Sequence, residues 1–268
     1  MLSNITIGQY FPTGSVVHRL DAANKIVLTV AALVAIFIAD SPIMLGICLV
    51  AAVALMLLTR VKVGMYLKML KAIWPVVLLT SVLNLFYATG NVLAKWWIFT
   101  ITDTGIYRSV FIAVRICLLI IISSALTYTT SPTELTDGIE RLLKPLKFIG
   151  LGEAVHILAM MTSIALRFIP ILIDETEKIM SAQKARGADM EEGGLISRVK
   201  AMLPVLIPLL ISATRRACEL AEAMECRCYH GAQGRTKMKQ ARFAVRDFVA
   251  LAVVAAFLAA MTVGRVLL

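Results

Sequence analysis

Five stretches of this chain are apolar and free of charge. Ile26 to Ala39, Ser41 to Thr59, Ala72 to Ala94, Ile116 to Thr133 and Phe248 to Gly264 contain no Asp, Glu, Lys or Arg. A bilayer core asks for about 20 consecutive apolar residues, within a range of about 17–25. A helix suits that setting because it satisfies its own backbone hydrogen bonds. Five transmembrane helices are therefore expected, over residues 26–40, 42–59, 73–93, 106–130 and 247–264. The first is short, and Lys25 can snorkel to the headgroups and lengthen it. Hydrophobic residues make up 59% of the 268, above the roughly 45–50% of a soluble domain. The expected fold class is an all-α membrane protein.

Charge orients the spans. Arg60, Lys62, Lys68 and Lys71 lie between spans two and three, and Arg141, Lys144 and Lys147 follow span four. The Asp40-Ser41-Pro42 connection has no basic residue, and the loop between spans three and four has only Lys95 and Arg108. Lys and Arg accumulate on the cytoplasmic side. The N-terminus and residues 133–246 are thus expected in the cytoplasm and the C-terminus outside. On this reading the net charge of +10 reports topology, and nucleic acid is not an expected partner. Met1 to Asn24 lacks the continuous apolar core of a cleavable signal. Cys48 and Cys117 fall in spans, while Cys218, Cys226 and Cys228 fall in the cytoplasmic block. Five scattered cysteines facing a reducing compartment do not suggest a disulfide framework.

Residues 133–246 hold 30 of the 44 charged side chains. Three regions follow: an N-terminal membrane domain of four spans over 1–131, a cytoplasmic coupling domain over 132–246, and a last span over 247–268. The coupling domain opens on Ser131-Pro132-Thr133-Glu134, a helix start with Ser131 as N-cap, proline in the first turn and a glutamate three residues on. Leu135, Ile139, Leu142 and Leu143 fall on one face of that helix, which is expected to end at Pro145. Two analogous arms come next. Ala154 to Ile173, broken by Arg167 and Pro170, leads into the charged stretch Asp174 to Arg186. Ala201 to Ala213, with Pro204 and Pro208, leads into Thr214 to Arg227. Each arm reads apolar helix, proline, charged amphipathic helix, arginine, glycine, and the two arginines are 41 residues apart. The expectation is two long helices along the cytoplasmic surface, their apolar faces covered by membrane or protein. The alternative makes 154–173 and 199–214 two further spans, with the acidic Asp189-Met190-Glu191-Glu192 loop outside or drawn through.

Catalytic constellations are not found. Gly231-Ala232-Gln233-Gly234-Arg235-Thr236-Lys237 has glycines and a lysine without the spacing that cradles phosphate. The three histidines are dispersed, and no metal or other cofactor is implied. Cys226-Arg227-Cys228-Tyr229-His230 does not have zinc-pair spacing, and only Cys218 is near in sequence. These cysteines are read as small side chains at a helix end.

The arginines carry the functional signal. At a helix C-terminus the last carbonyls are unpaired and partly negative, which favours any single arginine there. That local preference does not account for two arginines ending two similar arms. A guanidinium presents five donors in a rigid fork suited to carboxylates or carbonyls of a partner. Gly187 permits the left-handed turn that ends the helix and lets Arg186 project.

With these residues in view, the chain resembles the transmembrane T component of energy-coupling factor (ECF) vitamin importers, of the shared type. The resemblance is carried by Ile5-Thr6-Ile7-Gly8-Gln9-Tyr10, His18-Arg19-Leu20-Asp21, Leu166-Arg167-Phe168-Ile169-Pro170, Ala185-Arg186-Gly187, Glu222 to Tyr229, and Gly234-Arg235-Thr236-Lys237. It covers nearly the whole chain. It implies a bacterial cytoplasmic-membrane complex of two cytoplasmic ATPases, this scaffold, and a small substrate-binding membrane subunit, one of several interchangeable ones. It further implies that each coupling helix ends in an Ala-Arg-Gly motif docked into one ATPase. The docking residues are then Ala185, Arg186 and Gly187 in the first arm and Glu225, Cys226, Arg227 and Cys228 in the second. The second motif departs from the pattern: Cys226 and Cys228 replace alanine and glycine, leaving the helix stop open, with Gly231 as a later candidate.

Two smaller features belong to the same reading. Met160, Met161, Met180, Met190, Met202, Met224 and Met238 suit either an adaptable surface for several partners or gap-filling between helices. Arg115, inside span four, is read as a cap on helix packing or a contact to a partner subunit. A stand-alone carrier or channel is the competing class; it calls for polar groups or broken helices converging at mid-bilayer. A membrane-embedded transferase is a third, with no acidic pair to motivate it.

Overall fold

The computed structural model describes residues 10–87, 92–96, 99–150, 152–188, 194–231 and 244–267. Eight α-helices run through them: α1 Ala22–Ile38, α2 Pro42–Thr59, α3 Val63–Tyr87, α4 Asp103–Thr129, α5 Pro132–Leu143, α6 Gly152–Ala185, α7 Leu195–Cys226 and α8 Val245–Leu267. The chain is a helical membrane protein, with one local exception. β1 (Val92–Trp96) and β2 (Phe99–Thr102) form an antiparallel hairpin in which Trp96 opposes Phe99 and Lys95 opposes Thr100. The helix over the expected third span to residue 93 therefore ends at Tyr87, and Val92 and Leu93 join a hairpin whose Val92, Trp96, Phe99, Thr100, Ile101 and Thr102 are of the β-branched and aromatic types that strands favour. Four expected segments, Ile5 to Gln9, Asp189 to Glu192, Gly234 to Lys237 and Met238, lie outside the described residues.

Two compact units divide the chain: Gly8–Ile139 with Lys239–Leu268, and one built on Glu140–Met238. In the first unit, α1, α2, α4 and α8 share a core of Ala35, Ile36, Ala39, Met44, Leu45, Cys48, Ala52, Leu118, Ile122 and Met261. The helices α3 and α4 approach closely where Gly105 faces the Leu85 carbonyl. A β-carbon there would sit 2.7 Å from that oxygen, so any larger residue would force the helices apart. Ser109 also donates its hydroxyl to the Ser81 carbonyl at 2.8 Å. Elsewhere the outward faces are apolar, with Ile47, Val50, Trp74, Leu78, Leu79 and Val253 exposed, as a lipid-facing surface requires.

Six helices have the length and composition to cross a bilayer: α2, α3, α4, α6, α7 and α8. The helix α1, with 17 residues, is the shorter apolar one. Lys25 does not snorkel outward to extend it. The residue is 4% exposed, and its ammonium donates to the Thr129 carbonyl at 2.8 Å and the His18 carbonyl at 3.1 Å. Both are carbonyls that a chain turn leaves unpaired, and the lysine closes that end of the bundle by taking them.

The His18-Arg19-Leu20-Asp21 segment belongs to the same closure. His18 donates from Nε2 to the Phe11 carbonyl at 2.7 Å and accepts at Nδ1 from Ser15 at 2.7 Å. Phe11 donates its amide to the Tyr128 carbonyl at 3.0 Å. Asp247, 2% exposed, accepts from the amides of Asp21 at 3.0 Å and Ala244 at 2.9 Å. It thus caps the start of α1 and of its own helix together. At the opposite end of α1, Arg115 donates to the Ala39 carbonyl, lies 4.8 Å above the Phe111 ring and sits 3.9 Å from Asp40. Of the two readings of Arg115, the structure places it as a cap on helix packing. Arg265 takes the other Asp40 oxygen at 2.9 Å.

The expected capping box is present: Glu134 donates its amide to Ser131 Oγ at 3.3 Å, and Ser131 donates its amide to Glu134 Oε2 at 3.4 Å. The helix α5 ends at Leu143, two residues before Pro145, and Lys144–Ile149 continue as a 3-10 turn. In the second unit, His156 and Glu140 meet at 3.0 Å and tie the end of α5 to the start of α6.

Candidate partner-docking site

The two arms form two uninterrupted helices. Pro170 lies inside α6, and Pro204 and Pro208 lie inside α7. The two long helices expected from the sequence thus run through their prolines, although proline lacks an N–H and leaves the carbonyl four residues earlier without its partner. One such carbonyl has a visible replacement. Pro208 cannot bond the Pro204 carbonyl, and Gln183 of α6 donates its side-chain amide to it at 3.3 Å. The neighbouring helix supplies the missing donor.

The direction of the two arms follows from their contacts. Gln183 meets Pro204, and Glu175 meets Ser212 and Arg216. As α6 advances from 175 to 183, its partner position on α7 falls from 216 to 204. The helices pass each other in opposite directions, and their C-termini point opposite ways.

Both C-termini are built alike. At the end of α6, Gly187 donates its amide to the Lys184 carbonyl at 3.0 Å and Ala188 donates to Gln183 at 3.0 Å. Gly187 has φ 85°. At the end of α7, Cys228 donates to Glu225 at 2.9 Å and Tyr229 to Met224 at 3.1 Å, with Cys228 at φ 54°. The bonds are the same pair in the same register, and they close the last carbonyls through one left-handed residue. Arg186 and Arg227 therefore occupy equivalent cap positions, with Ala185 matching Cys226 and Gly187 matching Cys228. Cys228 itself makes the stop that the sequence left open, and Gly231, at φ 86°, is a second turn further on. His230 steadies the cysteine turn by donating from Nδ1 to the Cys228 carbonyl at 2.8 Å.

All seven expected site residues, Ala185, Arg186, Gly187, Glu225, Cys226, Arg227 and Cys228, are exposed. The structure does not bring the two triplets together; it puts one at the tip of each arm. Among the described residues, neither guanidinium is held by a carboxylate or a carbonyl, so both forks face outward with their donors available. Cys218, Cys226 and Cys228 are free, exposed thiols. Met161 and Met202 are exposed along the arms, while Met160, Met180 and Met224 are half-buried.

One element of the site has no counterpart in the sequence reading. Glu175 of α6 accepts from Ser212 through one carboxylate oxygen. Through the other it accepts from Arg216 Nε at 3.1 Å, with Arg216 Nη2 in ion-pair contact at 3.0 Å. The signal was available: Glu175 and Arg216 are separated by 41 residues, the interval between the terminal arginines.

The chain matches known proteins over most of its length. Residues 13–238 match the family described as CbiQ, cobalt transport protein. The chain is similar to proteins named energy-coupling factor transporter transmembrane protein EcfT from three bacteria. With that of Acidaminococcus fermentans it is 46% identical over 264 residues, covering 96% of this chain and 98% of the relative. With that of Clostridium kluyveri it is 48% identical over 252 residues, covering 93% of each. With that of Lactobacillus helveticus it is 41% identical over 257 residues, covering 94% of this chain and 91% of the relative.

Proposed function

The chain belongs to the transmembrane components of energy-coupling factor transporters, within the CbiQ family, and from that membership we propose that it couples ATP hydrolysis by two cytoplasmic ATPases to vitamin or micronutrient uptake. It is a non-catalytic scaffold in this reading. A small substrate-binding membrane subunit, one of several interchangeable ones, selects the substrate. The N-terminus and the coupling domain over 132–246 lie in the cytoplasm of a bacterial cell, and α6 and α7 run along that side of the membrane.

One observation carries the proposal: two exposed arginines hold the same cap position at opposite ends of two antiparallel helices. That arrangement presents one identical fork to each of two like partners. Arg186 with Ala185 and Gly187 docks one ATPase, and Arg227 with Glu225, Cys226 and Cys228 docks the other. ATP-driven closure of the ATPases displaces the two tips, and the long helices pass that motion to the substrate-binding subunit.

Removing one partner of a desolvated charge contact costs about 2–5 kcal/mol. Arg186→Ala and Arg227→Ala are each expected to weaken recovery of the ATPases with the tagged chain, and the double variant to abolish uptake. The probe is a pool of radiolabelled water-soluble vitamins offered to proteoliposomes carrying the native complex. Full ATPase recovery and full uptake in the double variant refute the proposal. Uptake by the chain alone, without ATP, favours a stand-alone carrier instead.

A further inference from the structure

Burial does little to lock α6 and α7 together. Among the described residues α6 has no buried side chain, and in α7 Val205 is the buried hydrophobic. Apolar contact is non-directional, so a sparse apolar seam leaves two helices able to slide. The Glu175 cluster is different in kind. Two hydrogen bonds from α7, donated by Ser212 and Arg216, occupy the two oxygens of one carboxylate, and the Arg216 guanidinium adds an ion-pair contact. Charge-assisted contacts of this sort fix geometry as well as adding energy.

Its position is equally particular. Shifting α6 by 41 residues places Arg186 on Arg227 and Glu175 on Arg216. The Glu175–Arg216 contact therefore joins equivalent positions of the two arms. Each arginine tip stands 11 residues beyond it, about 16 Å along its helix at 1.5 Å per residue. The tips lie on opposite sides, because the helices run in opposite directions.

We propose that Glu175, Ser212 and Arg216 are the fulcrum of the two levers: positioning residues that hold the crossing point in register while the tips move. Displacement at one tip is then returned as opposed displacement at the other, with the central pair holding the register. Without the pair, the helices slide, and ATPase motion dissipates before it reaches the substrate-binding subunit. This deepens the docking function proposed above and rests on it.

The test uses the whole complex in proteoliposomes, with the same vitamin pool as probe. Glu175→Gln and Arg216→Gln are expected to keep both ATPases at the native ratio and to hydrolyse ATP. Uptake per ATP is expected to fall about tenfold, within the range of ordinary coupling between sites. The swap of Glu175→Arg with Arg216→Glu is expected to recover most of the loss, because the contact joins equivalent positions of the two arms. Native uptake per ATP in the single variants overturns the fulcrum, as does loss of the ATPases from those complexes, or a swap no better than the singles. Failure of the docking proposal is read separately, from ATPases that stay bound after both tip arginines are removed.

Discussion

Cys228 adopts a backbone conformation that crowds a β-carbon against the following carbonyl and that glycine reaches freely. The left-handed form costs a non-glycine residue roughly 1–2 kcal/mol. The two tips are thus alike in geometry and unlike in cost. Cys228→Gly is expected to preserve ATPase recovery and to stabilise the α7 stop by about 1 kcal/mol. Gly187→Val is expected to destabilise the α6 stop by at least about that much and to weaken docking at Arg186. Thermal unfolding of the detergent-purified chain, followed by ATPase recovery, checks both. The arginines and Gly187 are legible in the sequence because cap residues act through local backbone. The role of Cys228 is not, since cysteine has no strong preference for that conformation; the register to the first arm was the clue. Lys25 and Asp247 are also silent in the sequence. Each pairs with backbone more than 100 positions away, and a charge near a span boundary reads as a surface anchor.

At the level of elements, the prolines show how a neighbour decides whether a helix breaks. Taken alone, Pro204 and Pro208 interrupt an apolar run and each costs the helix a backbone hydrogen bond. A donor on α6 changes the outcome. Gln183→Leu leaves the Pro204 carbonyl unpaired and is expected to destabilise the α6–α7 pair by about 1 kcal/mol. With Pro208→Ala already present, a backbone N–H is restored to that carbonyl, and Gln183→Leu is expected to have almost no effect. Thermal unfolding of the four proteins of this cycle measures the difference; equal effects in the two backgrounds contradict the assignment. Periodicity and charge locate α2, α3, α4, α8 and the capping box of α5, because each depends on residues within a turn or two. The β1–β2 hairpin falls almost wholly in the expected loop between spans three and four, overlapping the expected third span only at Val92 and Leu93.

The whole molecule combines an apolar helical unit with a second unit whose two helices end in matched arginines. Membership in the family follows from similarity over nearly the full length. The direction in which the tips face is a separate claim, drawn from the distribution of basic residues. Native cysteines allow it to be measured once Cys117 and Cys218 are replaced by serine, since Cys226 and Cys228 flank Arg227 and are exposed, while Cys48 is buried. A membrane-impermeant maleimide is expected to leave these thiols unmodified in intact cells and to label them in inside-out vesicles stripped of the ATPases. Adding the ATPases back is expected to protect them. Labelling of Cys226 or Cys228 from outside intact cells contradicts a docking role for these tips.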